Sequence, residues 1–146
     1  MEIFLATALE NQNPSELEEM KALRLLLDAE YGEGSTFLAA YEFPTPDRYL
    51  PPAESLSLVL DKLQRARFMV LYFPRKVASS AILELGYALS WGKPVLAFTE
   101  SPSQLPYMVR DGAPGMTISA AVKYPDVETA AKSYFERIQS FVEGLF

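Results

Sequence analysis

The sequence predicts an α/β fold in which helices cover both faces of a five-stranded parallel sheet. Short apolar runs alternate with segments of helical periodicity along the 146 residues, a pattern typical of parallel strands joined by right-handed crossovers. The run Phe68–Phe73 is apolar at every position, as expected of a central strand buried on both faces. Five such units in a chain of single-domain length predict a flavodoxin-like, doubly wound sheet, with one domain spanning residues 1–146.

The first strand and helix follow from an apolar run and a capping signal. Ile3–Leu9 is apolar enough to form a buried strand. Ser15 and Glu18 then have the spacing of a capping box, and apolar side chains recur at helical intervals up to about Glu30. Two glycines end this helix, and Ser35–Tyr41 has the composition of a second strand.

The middle of the chain contains the clearest alternation. A proline-punctuated loop leads into a predicted helix at Ala53–Ala66. The central strand Phe68–Phe73 follows, and the polar stretch Pro74–Ser80 separates it from a helix at about Ala81–Trp91. A glycine stops that helix, and Pro94–Phe98 forms the next strand.

The last third of the chain supplies one more strand and helix. A segment rich in proline and glycine contains a short helix near Gln104–Arg110, and Met116–Val122 forms the fifth strand. Asp126 caps the final helix. One face of that helix is apolar: Val127, Ala130, Tyr134, Ile138, Phe141 and Leu145.

Composition excludes several kinds of chemistry. The chain has no cysteine and no histidine, which removes cysteine nucleophiles, serine–histidine pairs and the usual zinc ligands. Its carboxylates are scattered, so we expect no metal. We also expect no cofactor. Thirteen basic and 19 acidic residues give a net charge of −6, which disfavours binding to nucleic acid or to anionic membranes. The sequence shows no signal peptide and no membrane span, which predicts a cytoplasmic protein.

The candidate site lies at the carboxyl edge of the predicted sheet. Ligands of doubly wound folds bind beyond the carboxyl ends of the strands. The loops at that edge are Ala6–Pro14, Glu42–Pro52, Pro74–Ser80 and Thr99–Pro106. We therefore expect a small-molecule site among these four loops.

Glu84 is the leading candidate for a catalytic residue at this edge. Ser79 and Ser80 stand where hydroxyl and free N–H groups either cap a helix or hold an anion, and serines in this place are more often caps. Glu84 follows in the first helical turn, where a glutamate often serves only the helix dipole. With Ser80 as N-cap, however, the third helical position is Leu83, so Glu84 misses the register of a capping box.

Residues 83–95, LELGYALSWGKPV, resemble the ELGYAL-x-x-GK-x-V signature of nucleoside 2-deoxyribosyltransferases and the related 2′-deoxynucleoside 5′-phosphate N-hydrolases. In those enzymes the glutamate of the signature attacks the anomeric carbon, displaces the base and forms a glycosyl-enzyme ester. Water or a second base then resolves the ester. The resemblance implies that Glu84 is the nucleophile of an N-glycosidase or deoxyribosyltransferase acting on a small nucleoside or nucleotide. It also implies a homodimer or larger homo-oligomer, in which a partner subunit completes the pocket.

The chain departs from this family pattern at several positions. Ala6–Leu9 stands where the family has a glycine-rich turn, and Ala78 stands where it has Asp or Ser six residues before the nucleophile. Val59 occupies the place of the second catalytic Asp. Asp61 is two residues away, but two residues turn a helix by about 200°, to a different face. Pro106 replaces the serine that one hydrolase subunit lends to its neighbour.

Six residues are candidate substrate-binding groups: Thr7, Ser79, Ser80, Tyr41, Glu42 and Arg110. Thr7 lies where the loop after the first strand begins. Tyr41 could stack on a base or pack in the core, and Glu42 could supply the missing acid or be a solvated loop charge. Arg110 belongs to a stretch, Val109–Ala113, that resembles the hydrolase branch.

Two other functions remain open on the sequence. TIR-like domains, which cleave the nicotinamide–ribose bond of NAD, share the strand–helix order and a helix glutamate preceded by serine. The Glu-Leu-Gly step and the Gly-Lys-Pro-Val ending fit the transferase group better. The other alternative is a catalytically silent relative that binds a nucleotide or signalling molecule, which the missing Asp and the missing glycine-rich turn favour.

Overall fold

The computed structural model describes residues 1–8, 13–43, 45–77 and 79–146, without the side chains of Ala40 and Pro46. In this part of the chain a five-stranded parallel sheet has the order β2-β1-β3-β4-β5. The strands are β1 (Ile3–Thr7), β2 (Thr36–Leu38), β3 (Phe68–Tyr72), β4 (Val95–Thr99) and β5 (Met116–Ala120). The helices are α1 (Pro14–Tyr31), α2 (Ala39–Glu42), α3 (Pro52–Arg65), α4 (Ser80–Ser90) and α5 (Val127–Leu145). This is the flavodoxin-like fold that the sequence predicts.

The core has two layers because helices cover both faces of the sheet. Alternate residues of each strand point to opposite faces. Ile3 and Leu5 of β1 pack with α1 and α5 on one face, whereas Phe4 and Ala6 pack with α3 and α4 on the other. All residues of β1, β3 and β4 are buried, as the apolar run Phe68–Phe73 predicts.

The switch point of the sheet lies between β1 and β3. Strand β1 pairs with β2 on one side and with β3 on the other. The helix after β1, α1, covers one face, and the helix after β3, α4, covers the other. Thr7 and Tyr72 are register partners at the carboxyl ends of the two strands. A crevice between such ends is where doubly wound folds bind ligands.

The second strand is shorter than predicted, since residues 39–42 form a helical turn. The Phe43 N–H donates to the Ala39 carbonyl at 2.8 Å and closes that turn. Two alanines and a glutamate in this turn favour helix over strand. The strand prediction for Tyr41 was therefore wrong. Leu9, the predicted end of the first strand, lies outside the described residues.

Two helices begin at other residues than predicted. Asn13, not Ser15, caps α1, with its side chain accepting the Ser15 N–H at 2.9 Å. Pro14 then suits the first helical position, because its missing N–H needs no partner there. Ser79, not Ser80, caps α4, with its hydroxyl accepting the Ala81 N–H at 3.1 Å.

The segment between β4 and β5 forms two short 3₁₀ turns, Pro102–Gln104 and Tyr107–Val109, instead of one helix. Pro106 separates them because it disfavours helical geometry at Leu105, whose ψ is 158°. The last helix begins after Asp126, as predicted, with that side chain accepting the Thr129 N–H at 2.7 Å. None of the helices in the described part of the chain is both long and apolar enough to span a bilayer.

Candidate active site

Glu84 lies in the second turn of α4, at the carboxyl edge of the sheet. Ser79 is the N-cap, so Glu84 is the fifth helical residue and the first turn contains no acidic residue. The predicted first-turn position was therefore wrong by one residue. The influence of the helix dipole falls off within the first turn, so the dipole explains Glu84 less well than the sequence suggested.

Glu84 lies at the border of the buried face of α4. Ala81, Leu85 and Ala88 are buried against the sheet. Residues three and four positions apart on a helix are neighbours, so Glu84 lies beside Ala81 and Ala88. Glu84 itself is half-buried, so it lies between this apolar face and solvent.

Burial raises the pKa of Glu84 to about 8. Desolvation is the only cause, and among the described residues the carboxyl has no hydrogen-bond or ion-pair partner. A half-buried carboxyl that loses hydration without gaining such a partner destabilises the fold. Perturbed pKa values of this kind concentrate at functional sites, so Glu84 is better explained by a function than by stability.

The crevice at the switch point contains Thr7 and the first residues of the loop after β3. Thr7 is 8% exposed and lines a narrow cleft together with Ala8, Phe73 and Val77. The loop then continues to Ser79 and α4. The structure therefore brings Thr7, Ser79 and Glu84 to one edge of the sheet. Ser80 lies there too, as the exposed first residue of α4.

Arg75 fixes the loop between β3 and α4. Its Nη1 donates to Glu16 Oε2 at 3.0 Å and its Nη2 donates to Glu16 Oε1. Nη1 also lies 3.4 Å from Glu100 Oε1, and the Glu100 N–H donates to the Pro74 carbonyl at 3.0 Å. One side chain thus joins the segments that follow β1, β3 and β4. Sequence reasoning missed this role because Glu16 and Arg75 are 59 residues apart.

A cleft of about 280 Å³ lies beside this ion pair on the α1/α5 face. The Tyr72 hydroxyl donates to Glu19 Oε2 at 3.2 Å and lies 3.4 Å from Glu16 Oε2. Burial raises the pKa of Glu19, and the nearby Glu16 carboxylate adds to the effect. No local pattern in the sequence singles out Glu16 and Glu19. Even so, no three carboxylates in the described part of the chain are grouped to hold a metal ion.

Tyr41 and Glu42 lie apart from this group. The Tyr41 ring lies against the Arg24 guanidinium, with Cζ 3.9 Å from the ring centroid. Glu42 lines a cleft beside β2, the edge strand. Arg110 is also engaged elsewhere, because its Nε donates to the Leu105 carbonyl at 3.0 Å. Any contact of these three residues with a substrate remains a prediction.

Asp61 does not face the sheet. It is exposed and lies 3.3 Å from the Arg65 guanidinium on the same helix. Val59, which stands at the family's Asp position, packs against the core layer that includes α4. The structure thus agrees with the helical geometry, which places these two side chains on different faces of α3.

Comparison with known proteins finds a likeness in fold to a solved structure. No protein-family model matches the sequence, and no curated protein matches it either. The solved structure of Clostridium botulinum CMP N-glycosidase, BcmB, superposes with a TM-score of 0.68 over 97% of this chain and 99% of that chain, at 17% identity. The fold is shared. At this identity the likeness shows the fold and leaves the activity to be argued from the site.

Proposed function

We propose that this protein cleaves or transfers at the N-glycosidic bond of a nucleoside or nucleotide, with Glu84 as the nucleophile. The observation that carries the proposal is a half-buried carboxyl group with a raised pKa and no partner among the described residues, on the helix that follows β3 at the carboxyl edge of the sheet. The fold shared with a CMP N-glycosidase supports it. The resemblance of residues 83–95 to the deoxyribosyltransferase signature supports it independently.

The proposed reaction needs only a carboxylate and an acid. A Glu84 oxygen attacks C1′ of the sugar, and a C1′–O ester bond forms as the C1′–N bond breaks. The electron pair of the broken bond leaves with the base, which takes up a proton. Water or a second base then attacks C1′ and releases the Glu84 carboxylate. The transition states carry positive charge on the sugar ring, which a carboxylate on the opposite face stabilises.

The raised pKa of Glu84 sets the pH range of this reaction. With a pKa of about 8, roughly one carboxyl in ten is ionised at pH 7 in the free protein. A nucleophile must be ionised, so the proposal requires activity to increase as the pH rises towards 8. A general acid would show the opposite trend, which makes the pH profile diagnostic of the role.

Thr7, Ser79 and Ser80 are the proposed substrate contacts nearest to Glu84. Ser80 is the freest of them, since it is exposed and the Ser79 hydroxyl already caps α4. We also propose that the protein acts as a homodimer or larger homo-oligomer. Exposed apolar side chains support this, because Leu83 on α4 is 52% exposed and Trp91, directly after α4, is 42% exposed.

A binding or signalling module without catalysis is the second candidate. The observation that favours it is the placement of Asp61, which is paired with Arg65 on the outside of α3. A glycosidase needs an acid for the leaving base, and this residue does not supply it. Under this alternative Glu84 would contact a bound nucleotide without attacking it.

A base-release assay tests the proposal against both alternatives. The panel contains deoxynucleosides, ribonucleosides, their 5′-monophosphates and NAD, each with and without an acceptor base. We expect release from at least one nucleoside or nucleotide by the wild type and none by Glu84→Gln. Glu136→Gln, an exposed change on α5, is the matched control and should retain activity. Cleavage of NAD alone would favour the TIR-like reading, and binding without turnover would favour the silent module.

A further inference from the structure

The cleft beside the edge strand β2, which Glu42 lines, has a volume of about 270 Å³. Its lining includes Glu2 and Ile3 at the amino end of β1 and Gly34 and Ser35 just before β2. Glu42 and Phe43, which follow β2, also line it, whereas none of its described lining residues belongs to α4 or to the loop before α4. The two places are therefore separate, and the inference below does not depend on the proposed function.

Two residues that line this cleft each have a buried polar atom without a hydrogen-bond partner among the described residues. One is the hydroxyl oxygen of Thr36, a residue that is only 3% exposed. The other is Nε of Arg24, whose side chain is 14% exposed. Both residues line the cleft. Buried polar groups nearly always have a partner, so two without one in the same wall indicate a ligand.

The surroundings of Arg24 hold its guanidinium in place. Tyr41 lies 3.9 Å from its Cζ, and Asp28 Oδ2 lies 3.7 Å from Nη2. The Asp28 carboxylate is already engaged, since Oδ1 accepts the Thr36 N–H at 2.9 Å and Oδ2 accepts the Gly34 N–H at 3.3 Å. The position of Arg24 is thus fixed by neighbours that leave its Nε–H without an acceptor.

The other lining groups indicate the class of ligand. Lys62 adds a second positive charge. The Glu2 carboxylate forms an ion pair with Arg65, with 2.8 Å between Oε1 and Nη2. Glu42 is exposed. The remaining wall is apolar: Phe37, Phe43 and Leu58. Two cationic donors and a hydroxyl beside an apolar wall suit an acceptor group attached to an apolar body.

We propose that this cleft binds a small organic anion, in which a carboxylate or phosphate meets Arg24, Thr36 and Lys62 while an apolar body lies against Phe37 and Phe43. The probes are benzoate and phenyl phosphate, which separate the two anion types. Benzyl alcohol has the ring without the charge and is the matched comparison. Amide shifts of Gly34, Ser35 and Thr36 in ¹H–¹⁵N spectra report binding at this place.

Two variants test the contacts without touching Glu84. Thr36→Val keeps the shape of the side chain and removes a hydroxyl that has no partner, so the fold should be retained. We expect Thr36→Val and Lys62→Met each to weaken anion binding by roughly tenfold, the loss of one charge-assisted or buried hydrogen bond. Lys132→Met, an exposed change on α5, is the control and should leave binding unchanged.

The outcomes separate cleanly. Saturable shifts with benzoate or phenyl phosphate, weakened by both variants, would support the site. The proposal is overturned if neither anion gives saturable shifts, if benzyl alcohol binds as tightly as the anions, or if both variants bind like the wild type. Glu84→Gln should bind the anions normally, so the result does not depend on the glycosidase assay.

Discussion

Arg75, in the loop after β3, contacts both carboxylate oxygens of Glu16, in the first turn of α1. The Glu16 side chain is 11% exposed and Arg75 is 42% exposed, so the pair is partly shielded from solvent. The contact lies where the ends of β1 and β3 form the crevice of the sheet. It therefore ties the loop before α4, the helix of Glu84, to α1 on the opposite face of the sheet.

Removing the Arg75 side chain should disturb both stability and activity. Arg75→Ala leaves the Glu16 carboxylate without its main partner, and we expect a loss of about 1 kcal/mol after allowance for the exposure of the arginine. Urea denaturation measures this loss. Activity on the cleaved substrate should fall through kcat, because the loop that precedes α4 loses its anchor. Arg48→Ala, at an exposed arginine, is the control. Equal behaviour of the two variants would contradict an anchoring role.

The pH dependence of kcat/KM should reveal the role of Glu84. The raised pKa of Glu84, about 8, arises from burial, and the proposed nucleophile is active only as the carboxylate. We expect kcat/KM to rise with pH and to level off above about pH 8. A profile that falls above pH 8 would instead identify Glu84 as a general acid.

Glu84→Gln should stabilise the protein, increasingly so at higher pH. Because the pKa of Glu84 is raised from 4.5 to about 8 on folding, the folded protein keeps a proton between these values that the unfolded chain releases. Stability from this group is thus greatest below pH 4.5, falls as the pH rises to 8, and is constant above it. We expect a gain on the order of a few kcal/mol at pH 8.5 and little at pH 4.5, measured by denaturant unfolding. Glu136→Gln should show no such difference.

Gly86→Ala should stabilise α4 if no partner subunit packs against this position. A Cβ at Gly86 would meet no atom within 4 Å, and alanine is favoured over glycine inside a helix by about 1 kcal/mol. Close packing against other elements in the described part of the chain therefore does not explain this glycine. Gly92→Ala is the contrasting variant, because Gly92 has φ of 68° and should lose stability. A destabilised Gly86→Ala in denaturant unfolding would indicate a partner subunit packed at this position.

Asp61→Asn should leave activity nearly unchanged. Asp61 is exposed and faces Arg65 rather than the crevice. We expect kcat/KM within roughly twofold of the wild type, the effect of a surface ion pair. A loss of a hundredfold or more, the scale of a missing general acid, would show that α3 turns Asp61 into the site when substrate binds.

The sequence predicts the strands that are buried on both faces better than the edges and loops. The apolar run Phe68–Phe73 is explained by a strand buried on both faces. The polar stretch that follows it predicts the start of α4. Residues 39–42 could not be assigned in the same way, because a short apolar segment fits a strand or a helical turn equally well. The predicted caps of α1 and α4 were wrong by two residues and one residue, because neighbouring polar side chains compete for the same N–H groups.

In the candidate site, residues of a continuous motif could be predicted, whereas contacts between residues far apart in the sequence could not. Glu84 could be found because its motif is continuous in the chain. The pair of Glu16 with Arg75 could not, since nothing local in either segment specifies a partner 59 residues away. The separation of Tyr41 and Glu42 from the other candidates also depends on how the end of β2 turns into α2, which is a tertiary result.

Trapping the sugar on the protein tests the central claim most directly. Wild-type protein is incubated with 2′-fluoro-2′-deoxynucleosides and their 5′-monophosphates, in which fluorine slows release of the ester, and intact mass and peptide mapping follow. We expect a mass increase equal to the sugar without its base, on the peptide that contains Glu84, and no increase in Glu84→Gln. Base release without any such adduct, or an adduct on another residue, would contradict Glu84 as the nucleophile.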